Sequence, residues 1–289
     1  MIKWPQELIE DVARRKTILI LGAGISKNST NKDGIRPKDW KEFLIHATEQ
    51  VSNKIKTEIN KQIKSGDYLT ACELIKNDLG RDNFNTLIKK EFLKPQFKKS
   101  CIHEYIYNLD SRIVITPNFD KIYDVYANNI SEGSTLIKSF DSIDLADCIR
   151  RPERLIIKIH GSVDTTDNII FTRKDYSEAR TKYRDFYQII EALSLTHTFI
   201  FLGCGINDPD IRLILEDLNF KYPFSKQHYI IMPKNTVHNK IKEIVSDTMK
   251  LHFIEYDSKN FHEDLTTSIK NLVNEVESAR QNIADTQSW

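Results

Sequence analysis

Four short segments hold the residues best suited to chemistry, and each follows an apolar run. Gly22, Ala23, Gly24, Ile25 and Ser26 follow Leu21. Asn118 and Asp120 follow Thr116 and Pro117. His160 and Gly161 follow Ile159, and Gly203, Cys204, Gly205, Asn207 and Asp208 follow Leu202. Histidine titrates near neutral pH, so His160 can take a proton from a hydroxyl or a water. The Asn118 amide can hydrogen-bond a sugar hydroxyl or hold a water. Glycines at 22 and 24 let backbone approach a phosphate closely, and the amides beyond them can hold the anion. Each segment also has a plainer reading. Gly22 to Gly24 can be a tight turn, Asn118 and Asp120 helix caps, and His160 a structural histidine bonded to backbone. Gly203 to Asp208 can be a glycine turn leading into a capped helix. The dinucleotide pattern is incomplete: Lys27 stands where its third glycine belongs, and no acidic residue ends a second strand about 20 residues later. That departure argues against hydride transfer.

The elements that must position these segments are apolar strands alternating with helices. Short apolar runs predict strands over 17–21, 112–116, 155–159, 168–172, 198–202, 227–232 and 251–256. Helices are expected over 5–15, 119–128, 183–196 and 261–279, one more opening at Asn207, Asp208 and Pro209, and another between the last two strands. Residues 38–109 show helical periodicity and no convincing strand; Trp40, Phe43, Leu44 and Ala47, for example, share one helical face. We read them as a helical insertion of four or five helices within a single domain spanning 1–289. The alternation indicates an α/β fold, a Rossmann-like, mostly parallel sheet flanked by helices. In such sheets ligands bind beyond the carboxyl ends of the strands. If their strands lie side by side, the four segments line one crevice. The last nine residues are polar and are expected to fray.

Composition narrows the function classes. Lys and Arg number 42 against 41 Asp and Glu, a net charge of +1, which predicts no general affinity for nucleic acid or anionic membrane. Cys72, Cys101, Cys148 and Cys204 form no C-x-x-C pair, so no zinc module and no bound metal are expected, and the thiols read as reduced. The N-terminal stretch lacks an apolar signal core, and no apolar run approaches the ~18 residues that span a bilayer. The expectation is a soluble, cytoplasmic protein. P-loop, G-x-S-x-G and H-E-x-x-H patterns are absent, which weighs against an NTPase, a serine esterase and a zinc protease.

Taken together and in order, the segments resemble the sirtuin superfamily. Gly22 to Ser26 looks like its glycine-rich nucleotide loop. Gly34 to Pro37, with Trp40, Phe43 and Leu44, looks like the G-x-P-x-x-W variant of bacterial sirtuin-like proteins, with one extra residue before the proline. Thr116 to Asp120 resembles the T-x-N-x-D motif, and His160 with Gly161 the catalytic H-G pair. Gly203 to Asp210 resembles the G-x-S-x-x-D-P-D segment, with Gly205 in place of the serine. The match spans roughly residues 17–215. The four-cysteine zinc module of protein deacylases is missing, and a helical insertion precedes Asn118, a pattern similar to the sirtuin-like effectors of bacterial anti-phage defence. The resemblance implies an NAD hydrolase. Its substrate NAD would be held by Gly22, Ala23, Gly24, Ile25, Ser26, Asp120, Gly203, Gly205, Asn207 and Asp208, with Asn118 and His160 catalytic and no metal. It also implies a separate sensor or activator protein, a homo-oligomer, or both. An NAD-dependent deacylase and a non-catalytic NAD or ADP-ribose sensor are the alternatives.

Overall fold

A computed structural model of the chain describes residues 1–205 and 209–286. The chain opens with α1 (Gln6–Ala13) and β1 (Thr17–Leu21), and a single helical turn, α2 (Ala23–Ser26), follows Gly22. Five helices come next: α3 (Trp40–Thr48), α4 (Asn53–Ser65), α5 (Tyr68–Leu79), α6 (Arg81–Phe92) and α7 (Cys101–Asn108). The sheet resumes with β2 (Ile113–Thr116), α8 (Ile122–Ile130), β3 (Leu136–Ser139), α9 (Leu145–Arg150) and β4 (Leu155–Lys158). A 3-10 segment over Val163–Asn168 leads to α10 (Arg173–Lys182) and α11 (Arg184–Thr196). The rest is β5 (Thr198–Leu202), α12 (Pro209–Lys221), β6 (His228–Pro233), α13 (Asn239–Met249), β7 (Leu251–Tyr256) and α14 (Lys259–Thr286).

The seven strands form one sheet in the order β3-β4-β2-β1-β5-β6-β7, and every pairing is parallel. This is the Rossmann-like α/β architecture read from the sequence, with the sheet wholly rather than mostly parallel. Central strands such as Thr17–Leu21 and Thr198–Leu202 are buried at every position. Both faces of the sheet are covered, so continuous apolar runs replace the alternation of a half-wet strand. Leu19, Val114, Ile156 and Ile200 pack under α1, α7, α8 and α14, while Ile18, Ile113, Ile157 and Phe199 pack under α9 to α13. A third core lies within the helices between β1 and β2, where Phe43, Leu44, Ile59, Ile75, Phe84 and Ile88 are shielded from water. Val163, Ile169 and Phe171, from the segment after β4, insert into it.

Several expected elements are corrected. Residues 168–172 are not a strand: Ile169, Ile170 and Phe171 are buried, but they pack against the helical core and the α10–α11 layer, outside any ladder. The apolar run that suggested a strand reflects burial alone. The helix expected from Phe119 starts at Ile122, because the chain first makes the loop that carries Asn118 and Asp120. The edge strand β3 and the helix α9 carry no signal in the sequence reading, and β3 is short and half-exposed. The charged α10 was missed likewise. The C-terminal helix continues to Thr286 instead of fraying from residue 281, with Ile283 buried against the α1 side of the sheet.

Candidate active site

The four central strands are β4, β2, β1 and β5, so the four chemistry-bearing segments end neighbouring parallel strands. The order reverses at β1, with β2 on one side and β5 on the other, and such a switch point is where α/β sheets open a ligand crevice. Here the two glycine turns meet. The Gly22 amide donates to the Leu202 carbonyl and the Gly24 amide to the Gly203 carbonyl, both at 2.9 Å. A Cβ on Gly22 would stand 2.4 Å from the Gly203 oxygen, and one on Gly203, at φ +63°, would stand 2.5 Å from the Ile25 nitrogen. No other residue type allows these two backbones so close. Ile25 donates its amide back to the Gly22 carbonyl. Three of the amides expected to face an anion are therefore already bonded within the protein, so the glycines serve the contact between turns first. Gly205 is exposed just beyond, whereas Asn207 and Asp208 lie outside the described residues.

On the β2 side the loop is fixed by a chain of hydrogen bonds. The Thr116 hydroxyl donates to the Leu21 carbonyl at 2.7 Å and accepts the Asn118 N–H at 3.1 Å. The Asn118 side-chain amide donates to the Ser26 hydroxyl at 3.1 Å, and that hydroxyl donates to one Asp120 oxygen at 2.8 Å. The other Asp120 oxygen accepts the N–H of Ile122, the first residue of α8, at 3.0 Å. Asp120 thus steadies the start of α8 without being its N-cap, which is Lys121, and also holds Ser26, a partner 94 positions away. Ser26 and Asp120 are buried and Asn118 is half-buried.

On the β4 side an aromatic ring packs against the histidine. His160 is 4% exposed, and its ring meets the Tyr176 ring edge-on at 5.0 Å, with the tyrosine hydroxyl 3.5 Å from Nδ1. Tyr176 belongs to α10, which the sequence reading missed. The Thr172–Asp175 capping box that starts this helix was the signal that could have found it. The loop after β4 folds back onto the loop after β2. Val163 donates its amide to the Phe119 carbonyl at 3.0 Å, Lys121 pairs with Asp164 at 2.7 Å, and the Phe119 and Phe171 rings pack T-shaped at 4.8 Å. The structure therefore brings Asn118, Asp120 and Ser26 into one network, and sets the His160 loop against it.

Two buried groups stand behind this arrangement. Lys158, in β4, donates to the Asp120 carbonyl and to the Asp124 carboxylate, each at 2.7 Å. Burial raises the Asp124 carboxyl above its ordinary value, although Lys158 beside it pulls the other way. His103, in α7, is wholly buried and accepts the Ser100 amide at Nδ1. Burial lowers its pKa to about 4, against an opposing pull from the charge of Asp120. Among the described residues no cluster of His, Cys, Asp and Glu is arranged to hold a metal ion, and no helix is long and apolar enough to cross a membrane.

Comparison with known proteins agrees with this geometry. The SIR2-like domain family matches residues 112–254, which include the Asn118 and His160 loops. The chain is 24% identical over 229 residues to the NAD(+) hydrolase ThsA of Enterococcus faecium, covering 78% of this chain and 45% of that protein. It is 22% identical over 213 residues to defense-associated sirtuin 2 of Bacillus subtilis, covering 73% of this chain and 20% of that protein. The NAD(+) hydrolase ThsA of Bacillus cereus (strain MSX-D12) is 20% identical over 235 residues, with 79% and 45% covered. The chain thus spans less than half the length of these relatives. An all-parallel sheet with its polar loops at one carboxyl edge, the family match and the relatives together show that the chain carries a SIR2-like domain and is sirtuin-like.

Proposed function

We propose that the chain is an NAD hydrolase acting in anti-phage defence, in which NAD and water give nicotinamide and ADP-ribose. The observation that carries this reading is the network joining Asn118, Ser26 and Asp120 at the end of β2, set against the loop of His160. In the reaction the bond between ribose carbon and nicotinamide nitrogen breaks, and its electron pair leaves with nicotinamide. A bond from the water oxygen to that carbon replaces it, and one water proton is released. Asn118 positions the ribose and the water, and its Ser26 bond fixes the direction of its amide. His160 takes the proton from that water or from a ribose hydroxyl, a role worth roughly 10²–10⁴-fold in rate. Asp120 holds Ser26, and through it Asn118. Gly22 to Ile25, Gly203 and Gly205 form the floor beneath the diphosphate. Because several of their amides are already engaged, fewer backbone donors reach that anion than the glycine pattern alone suggests.

Residues 38–109 form one domain with the sheet in this reading, since Val163 and Phe171 share the helical core. The names of the relatives support a role in which NAD is depleted on infection. A protein that empties its own cell of NAD needs an off state. We therefore place it in the cytoplasm, under a separate activator protein or a change in self-association. Nicotinamide release from NAD, measured beside Asn118→Ala and His160→Ala, tests the reading. The expected result is release by the parent and a loss of at least about a hundredfold in each variant. Undiminished release in both folded variants would remove these residues from the mechanism. Release only with an acylated peptide would indicate a deacylase, and tight ADP-ribose binding without turnover a sensor.

A further inference from the structure

Lys158 is out of place as a strand residue. It ends the run Leu155, Ile156 and Ile157, all of them buried, and it lies on the same face as Ile156, which packs under α8. Its side chain is 3% exposed, as is that of Asp124. Removing two charges from water costs several kcal/mol per ion, and apolar residues of similar volume often serve stability as well or better. The pair therefore calls for a reason other than stability.

The second bond of the ammonium group supplies one. Lys158 Nζ also donates to the Asp120 carbonyl at 2.7 Å. Asp120 is the residue whose carboxylate holds Ser26, which in turn receives the Asn118 amide. Lys158 is the last residue of β4 and stands two residues before His160, which lies in the turn that follows. One buried cation at the end of β4 thus grips the backbone of the asparagine loop, and Asp124, in the first turn of α8, also accepts from its ammonium group. We propose that Lys158, held by Asp124, is a positioning residue that sets the Asn118 loop in register with His160. The only other ion pair between the two loops found among the described residues, Lys121 with Asp164, is surface-exposed and correspondingly weak.

This proposal rests on the NAD hydrolase reading for its kinetic consequence but not for its structural one. The variant to make is the double substitution Lys158→Met with Asp124→Leu, which removes both charges together and leaves none buried alone. Should it fail to fold, Lys158→Met with Asp124→Asn carries the same expectations. Thermal midpoint, amide hydrogen exchange and nicotinamide release are compared with the parent. A positioning role predicts a midpoint within a few degrees of the parent and exchange at the Asn118 and Ile122 amides at least tenfold faster, with the amides of β1 and β5 unchanged. It also predicts a 10- to 100-fold lower kcat with KM for NAD within threefold. Unchanged exchange at Asn118 and Ile122 would overturn the proposal whatever the turnover. So would faster exchange together with full turnover. A parent that releases no nicotinamide under any condition would sink the hydrolase reading alone, because the exchange measurement still decides whether Lys158 holds the loop.

Discussion

The two halves of the site are held by different means. Asn118 is locked by a closed series of hydrogen bonds running from Leu21 through Thr116, and from Ser26 through Asp120 to Ile122, with every step between 2.7 and 3.1 Å. Among the contacts of His160 are ring packing against Tyr176, a 3.5 Å contact at Nδ1 and the backbone bond from Ile170 to its carbonyl. Hydrogen bonds fall off steeply with distance and angle, whereas ring contacts tolerate sliding. The asparagine half is therefore a fixed platform. The histidine half answers to whatever moves α10, and α10 is tied to the helices between β1 and β2 by Lys76 with Asp175 and Arg173 with Asp67.

The comparison can be broken in three ways, from the largest expected effect to the smallest. The first uses acid. His103 packs behind the fixed half, and its pKa is lowered to about 4, chiefly by burial. A lowered histidine costs nothing above the unfolded value near 6.5. Below it the unfolded chain takes up a proton that the folded chain refuses, so stability falls between pH 6.5 and 4. The full loss is about 3 kcal/mol for this one residue. His228 is lowered to about 4 by the same cause; it accepts the Phe199 amide at Nδ1 and stacks on the Phe199 ring far along the sheet. Urea midpoints measured across this range should drop, and His103→Gln should make the slope shallower. If that variant leaves the slope intact, His103 is not among the groups responsible.

The second acts on the platform itself. Ser26→Ala removes the link between Asn118 and Asp120 and leaves a buried carboxylate oxygen without its donor. A loss of about 1–3 kcal/mol is expected for such a deletion. It should appear as lower stability together with a tenfold or greater fall in kcat for nicotinamide release. Normal turnover in a folded Ser26→Ala protein would show that Asn118 does not depend on this bond. The third acts on the adjustable half. Tyr176→Phe keeps the ring contact and deletes the long hydroxyl contact to His160, so stability should change by less than about 1 kcal/mol. Turnover should change only a few-fold. A loss as large as that of Ser26→Ala would mean that the histidine half is as rigidly held as the other.

Much of this arrangement was legible in the sequence, for local reasons. Strands buried on both faces leave continuous apolar runs, so Thr17–Leu21 and Thr198–Leu202 were read at their observed bounds, as was the partly exposed edge strand Leu251–Tyr256. The residues that stop those runs were visible for the same reason, and they included every segment of the candidate site. The edge strand β3 escaped because a half-exposed four-residue strand has too little apolar pattern to stand out. Residues 168–172 misled because burial by a neighbouring helical core produces the same apolar run as burial in a sheet.

What the residues alone determined, then, is the run of the central strands, their double-sided burial and the identity of the polar residues at the strand ends, because these follow from short-range pattern. What only the tertiary structure decided is which of those residues meet. Strand order places Gly22 against Gly203, and Ser26 against an aspartate 94 positions away. It brings a tyrosine from a charged helix onto His160, and turns Lys158 from an anomaly in an apolar strand into the clasp of the neighbouring loop. Such pairings depend on contacts between distant parts of the chain, and periodicity, which senses only the environment of each residue, carries no record of the partner.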